Sequence, residues 1–165
     1  MTILTLRPLR ETDLTTLIEL ETDAEAMFYT GSPEPKSTQA IEQNLHKLLA
    51  DFEPLPKFQK LMAVHPEHGS IGIAVMYRGE SGEAEIGYMM LRRFWGKGFG
   101  HHLAQATFER AQQWFPNEPL TALVYEDNIA STKVLLKLGF VITKRMVCPD
   151  RGLKDQKLEW HGLEQ

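Results

Sequence analysis

The run Arg92-Arg93-Phe94-Trp95-Gly96-Lys97-Gly98-Phe99-Gly100-His101 constrains this chain more than any other stretch. It joins a β-type run, Ala84 to Leu91, to an amphipathic run, Gly100 to Phe115. In the latter Leu103, Ala104, Thr107, Phe108, Ala111 and Phe115 fall on one side of a helix. A strand, a glycine-rich turn and a helix start make an anion site, because the first amides of a helix lack backbone partners and carry the positive end of its dipole. Glycines at alternate positions let a ligand come close to those amides, and Lys97 and Arg93 add positive charge. A phosphate or pyrophosphate fits there. The nucleoside-triphosphate loop is excluded, because it needs Ser or Thr after its lysine and Lys97 is followed by Gly98. The dinucleotide fingerprint G-x-G-x-x-G is excluded too, since it requires glycine at His101 or at Leu103.

The rest of the chain reads as alternating short elements. Ile3 to Arg7 is a strand ended by Pro8, and Thr12 or Asp13 offers an N-cap for a helix with Leu14, Leu17 and Ile18 on one face. Ser37 or Thr38 caps a second helix carrying Ile41, Leu45, Leu48, Leu49 and Phe52, which Pro54 and Pro56 stop. Phe58 to Val64 and Ser70 to Tyr77 are strands around a turn at His65 to Gly69, and Ala84 to Leu91 completes a meander. After the glycine loop and its helix, Leu120 to Tyr125 is a strand and Ser131 to Leu138 a helix ended by Gly139. Phe140 to Val147 and Lys157 to Leu163 then form a hairpin. The predicted order is βααβββαβαββ, an α+β arrangement.

Trp95-Gly96-Lys97-Gly98-Phe99-Gly100 resembles the acetyl-CoA loop of the GNAT acetyltransferase superfamily, Q/R-x-x-G-x-G/A, with tryptophan in first place. That variant is similar to the RimJ/RimL-type branch, the ribosomal-protein N-acetyltransferases. A second register, Arg93-x-x-Gly96-x-Gly98, keeps the arginine but starts the helix earlier than the apolar pattern suggests. Glu83-Ala84-Glu85-Ile86-Gly87-Tyr88 resembles the family's fourth strand. Asn128-Ile129-Ala130-Ser131, with Leu135-Leu136-Lys137-Leu138-Gly139-Phe140 after it, resembles its N-x-x-S…L-x-K-L-G-F segment. The three segments occur in order, and the likeness extends from Leu4 to about Val147.

The resemblance implies a mixed, mostly antiparallel sheet splayed between its fourth and fifth strands, flanked by about four helices. It implies acetyl-CoA as cosubstrate, its pyrophosphate on the amides of Gly96, Lys97, Gly98, Phe99, Gly100 and His101. Its pantetheine arm pairs with backbone groups of Met90 and Leu91 and touches Asn128. An amide near Met90 holds the thioester oxygen. The implied reaction is N-acetyl transfer by direct attack in a ternary complex, and it needs a base, because an alkyl ammonium with a pKa of about 10.4 is protonated at neutral pH. Glu85 stands where the resemblance puts that base; as a residue on a strand it also reads as a solvated or paired carboxylate. The tyrosine that many members use as acid is replaced by Leu135. Ser131 is then the donor, a helix N-cap, or both. Tyr88 is a reserve donor or a wall of the pocket, Trp95 a packing anchor, and Asn128 a cofactor contact or a turn residue. The first two helices and the loop from Tyr29 to Pro33 build the acceptor site.

At 165 residues, 42% apolar and 24% charged, the chain suits one acetyltransferase domain, residues 1–165. No run reads as a signal or membrane segment, and a single cysteine, Cys148, agrees with a reducing compartment, so the expected location is cytoplasmic. Adjacent His101 and His102 cannot share a metal, and no metal is expected. The formal charge of −4 advertises no nucleic-acid partner. The expected partner is an amine, a small molecule or a protein N-terminus, and a homodimer is left open. A CoA-binding module without catalysis is the competing reading, kept alive by the missing tyrosine.

Overall fold

The computed structural model describes residues 3–30, 34–50, 58–149 and 151–162. In chain order the elements are β1 (Thr5–Pro8), α1 (Leu14–Glu21), α2 (Ala24–Met27), α3 (Thr38–Leu49), β2 (Phe58–His65), β3 (Gly69–Arg78) and β4 (Ala84–Met90). They are followed by α4 (Phe99–Trp114), β5 (Leu120–Tyr125), α5 (Ile129–Lys137), β6 (Val141–Val147) and β7 (Lys154–Trp160). The strands form one sheet in the order β1-β2-β3-β4-β5-β7-β6. Every neighbouring pair is antiparallel except β4 and β5, which run parallel and pair only at Ala84 with Leu120 and Glu85 with Thr121. Beyond Glu85 the two strands part. The mixed α+β architecture with an opening between the fourth and fifth strands is thus the one expected.

Several boundaries differ from the sequence reading for local reasons. Ser37 caps α3, its Oγ accepting from the Ala40 N–H at 3.2 Å. Phe52, Pro54 and Pro56 lie outside the described residues. Between α1 and α3 stands the unanticipated single turn α2, too short for any apolar period, with the Asp23 carboxylate accepting from the Glu25 N–H at 3.1 Å. Strand β7 begins at Lys154, three residues before the expected start, because the turn closes through the Cys148 N–H to the Leu153 carbonyl and the Gly152 N–H to the Cys148 carbonyl.

Alternation along the strands divides the sheet into two faces. On one, Ala84, Ile86 and Tyr88 of β4 and Ala74 and Met76 of β3 meet α4, and Arg78 lies 5.0 Å from the centre of the Phe115 ring at the end of that helix. On the other, Lys60, Val75, Tyr77 and Glu85 face α1 to α3, and Lys60 reaches the Glu21 carboxylate of α1. Leu103, Leu120, Leu135 and Leu158, each fully buried, fill the space under α4 and α5.

The entry to α1 is fixed by charge. Nη1 and Nη2 of Arg7 each donate to the Asp13 carboxylate at 2.8 Å, and the Arg10 N–H donates to it at 2.8 Å. Burial pushes the Asp13 carboxyl up, but the bonds from Arg7 and Arg10 outweigh it and hold the group below the usual carboxylate range. Its folded pKa therefore lies below its unfolded one. The stabilisation is complete above about pH 4 and is lost as pH falls through the folded value. Denaturant unfolding between pH 6 and pH 2, each limit being about a decade or more from the unfolded pKa, should show stability falling more gently in Asp13→Asn than in the parent. Parallel acid profiles would contradict this.

Candidate active site

The glycine loop has the form its composition demands. Gly96 and Gly98 take left-handed backbone angles, φ 71° and 84°, which side chains strain to adopt. Gly98 is the N-cap of α4, so the helix starts at Phe99, one residue earlier than expected. Among the described residues none accepts a hydrogen bond from the N–H of Gly96, Lys97 or Gly98. The first turn leaves Phe99, Gly100 and His101 without an i−4 helical carbonyl. A Cβ built on Gly96, Gly98 or Gly100 would meet no atom within 4 Å, so the space in front of these amides is open. The donors fit a diphosphate. Of the two cations expected to help, only Lys97 remains at the loop without a described partner. Arg93 is drawn away, its Nε donating to Glu19 at 2.8 Å while its guanidinium stacks 4.5 Å from the Phe94 ring centre.

Beside the loop lies the gap between β4 and β5. The Leu91 N–H donates to the Ile71 carbonyl at 2.9 Å, so odd-numbered residues of β4 exchange hydrogen bonds with β3. Tyr88 and Met90 therefore turn their N–H and C=O groups toward the gap. This corrects the expected role of Leu91, whose N–H is spent on β3 and whose carbonyl accepts from the Phe94 N–H at 3.0 Å. The Met90 carbonyl is also engaged, accepting from the Trp95 indole at 2.9 Å. Trp95, 41% exposed, is thus less a core anchor than a clip at the rim of the gap. The Met90 N–H, like that of Tyr88, faces the gap by this parity.

Across the gap the Tyr88 hydroxyl and the Ser131 hydroxyl are 2.8 Å apart. They come from β4 and from the first turn of α5. Ser131 is not the N-cap; that is Asn128, whose side-chain oxygen accepts from the Ser131 N–H at 3.5 Å. The cap commits that oxygen of Asn128 to the helix and aims the Ser131 side chain at Tyr88. Leu135 is fully buried in the core and offers the gap nothing. Burial pushes the Tyr88 hydroxyl up to about 12, against a smaller opposing pull from the bond to Ser131, so it carries its proton at neutral pH.

Glu85 sits at the floor of the gap, on the last paired rung of β4 with β5, and is only 8% exposed. It points to the face opposite Tyr88. Tyr77 stands directly across from it on β3, and burial together with the adjacent Glu85 carboxylate pushes the Tyr77 hydroxyl far up. Tyr77 therefore keeps its proton beside Glu85, a neighbour the sequence reading missed because the pairing depends on strand register. The Glu83 carboxylate shares this corner, and both carboxylates crowd the position a Cβ of Gly79 would take.

The expected acceptor side is described in part; Gly31, Ser32 and Pro33 lie outside the described residues. Phe28 and Tyr29 follow α2, and the Tyr29 ring lies 6.1 Å from that of Tyr125 at the end of β5. Arg151, in the turn between β6 and β7, reaches over both Phe28 and Tyr125. Among the described residues no three His, Cys, Asp or Glu side chains gather as a metal site, and no helix is long and apolar enough to cross a membrane.

The chain matches the acetyltransferase (GNAT) domain family over residues 4–141. It resembles the spermidine N-acetyltransferase of Vibrio cholerae solved with CoA and spermine, at a TM-score of 0.79 and 19% identity over 96% of this chain and 95% of that one. It also resembles an acetyltransferase of the GNAT family from Bacillus anthracis, at 0.78 and 16% over 96% and 94%. At such identities the likeness is one of fold.

Proposed function

The chain belongs to the GNAT acetyltransferase family, and we propose that it moves an acetyl group from acetyl-CoA to a primary amine by direct attack while both are bound. The observation that carries this reading is the Tyr88–Ser131 hydroxyl pair, which spans a gap whose floor holds Glu85 and whose rim holds a row of free loop amides. Acetyl-CoA supplies an acyl carbon activated as a thioester. The amides of residues 96–101 hold its diphosphate, with Lys97 adding charge. The Met90 N–H, aimed into the gap, takes the charge that develops on the carbonyl oxygen. Glu85 removes the amine proton, directly or through a water, with Tyr77 holding the carboxylate in place. The protonated Tyr88 and its partner Ser131 hand a proton to the departing thiolate, the task the missing tyrosine performs elsewhere in the family. The Trp-Gly-Lys-Gly loop and Ser131 support the RimJ/RimL-type branch and with it a protein N-terminal amine, while the polyamine enzymes of like fold support a small amine. We read residues 1–165 as one acetyltransferase domain.

Gly100→Ala tests the loop, because a methyl group there clashes with nothing in the protein yet enters the space before the amides. The variant should gain stability, by about 0.5–1 kcal/mol or less, since glycine gives up more freedom in a helix than alanine. It should lose affinity for CoA. Calorimetric titration and thermal unfolding of the same sample read both, and unchanged CoA affinity would remove the loop from the site. Mass spectrometry of an amine and peptide panel incubated with acetyl-CoA tests transfer itself. Tight CoA binding with no acetylated product would leave only a binding module.

A further inference from the structure

Arg151 differs from most arginines of this chain in what it touches. Arg7, Arg78, Arg92, Arg93 and Arg145 each rest on a carboxylate. Arg151 pairs with no described carboxylate. Its guanidinium lies 4.4 Å from the ring centre of Phe28 and 5.4 Å from that of Tyr125, and its Nη1 donates to the Phe28 carbonyl. Two aromatic walls and one carbonyl oxygen thus fix the plane of the fork and use part of its five N–H donors.

Its position matters more than its contacts. Continuing the parallel register of Glu85 with Thr121 by four residues puts Tyr125 level with Met89, beside the Met90 amide across the gap. By alternation Tyr125 lies on the same face as Thr121 and Glu85. Beyond the buried Thr121 that face of β5 opens, with Leu123 49% exposed. Asp155, the ladder partner of Tyr125, forms no ion pair with Arg151, and its Oδ1 accepts from the Gln156 N–H at 2.9 Å. A fixed cation with no ion-pair partner among the described residues therefore flanks the amine's approach.

We infer that Arg151 selects the acceptor, and that the amine this enzyme acetylates carries a carboxylate that the guanidinium holds beside the gap. A planar carboxylate matches the free side of the fork and completes its charge. A polyamine would bring a second cation against it, a repulsion that works as discrimination. The inference rests on the acetyl-transfer reading and narrows it.

The test uses wild-type protein, acetyl-CoA and matched acceptors: β-alanine with β-alaninamide, glycyl-aspartate with glycyl-asparagine amide, and spermidine. We expect kcat/KM about ten- to hundredfold higher for the acid of each pair, the range of a hydrogen bond to a charged group. Arg151→Gln should bring the ratio near unity, Arg151→Lys should leave it intermediate, and Arg151→Glu should invert it. The ratio is read within each variant, so a smaller folded fraction cancels. Amides or spermidine acetylated as fast as the acids by wild type, or a ratio that survives in Arg151→Gln, would overturn the assignment. If CoA binds but no amine is acetylated, the transfer reading itself fails. Titration of N-acetyl-β-alanine against its amide into the CoA complex then still measures the selectivity, and equal binding overturns it. The free acid and the peptide pair separate a small acceptor from a peptide one.

Discussion

Glu85→Gln lowers acetyl transfer about 10²- to 10⁴-fold at neutral pH, the usual worth of a positioned general base. Glutamine keeps the shape and an acceptor oxygen for Tyr77, so the rung with Thr121 and the affinity for CoA should persist. The pH dependence separates a base from a prop. A base is needed because the amine arrives as an ammonium; as pH approaches the amine's own pKa of about 10.4, the neutral form becomes abundant without help. The deficit of the variant should therefore shrink steadily with rising pH. The tyrosines beside the gap do not confuse this window, since burial pushes Tyr88 up to about 12 and pushes Tyr77 far up as well. A deficit of the same size at every pH would mean that Glu85 shapes the floor of the gap and moves no proton.

How much of this site was visible in the residue string follows the range of the interactions. The loop was legible because Gly96, Gly98 and Gly100 act through backbone angles and local space, which sequence neighbours determine. The opening between β4 and β5 was reachable only through the family resemblance, since no local pattern says where two strands part. Leu91 was misassigned because the direction of a strand amide depends on ladder parity, set here by a bond to Ile71 on β3. Arg93 was misassigned because its partner, Glu19, is 74 residues away. Ser131 and Tyr88 were both noticed, but as competitors. Their 43-residue separation hid the fact that they touch. The cap of α5 slipped from Ser131 to Asn128 because both residue types cap helices and only the actual start at Ile129 decides between them.

Glu21→Leu destabilises the protein by about 3–5 kcal/mol, the cost of leaving a buried charge without its partner. Glu21 is 2% exposed, and its Oε1 accepts from Lys36 at 3.0 Å and Lys60 at 3.1 Å, tying α1 to the segment before α3 and to β2. The two lysines are not equivalent. The Lys36 side chain is 30% exposed and can swing its ammonium into water, whereas that of Lys60 is 10% exposed and cannot. Burial already pushes the Lys60 ammonium below its usual range, and the Glu21 carboxylate is what resists that shift. Without Glu21 the lysine must either pay for dehydration or lose its proton. Its folded pKa then lies further below its unfolded one, so the variant's stability should rise with pH up to about 10.4, more steeply than the parent's. Leucine keeps apolar volume at the site, so the loss is not that of a cavity. Replacing the partner as well, in Glu21→Leu with Lys60→Met, should recover most of the stability, because an apolar pair avoids both dehydration costs. Urea unfolding of the parent, both single variants and the double variant closes the cycle. A single variant within about 1 kcal/mol of the parent would mean that the pair behaves as a solvated surface contact.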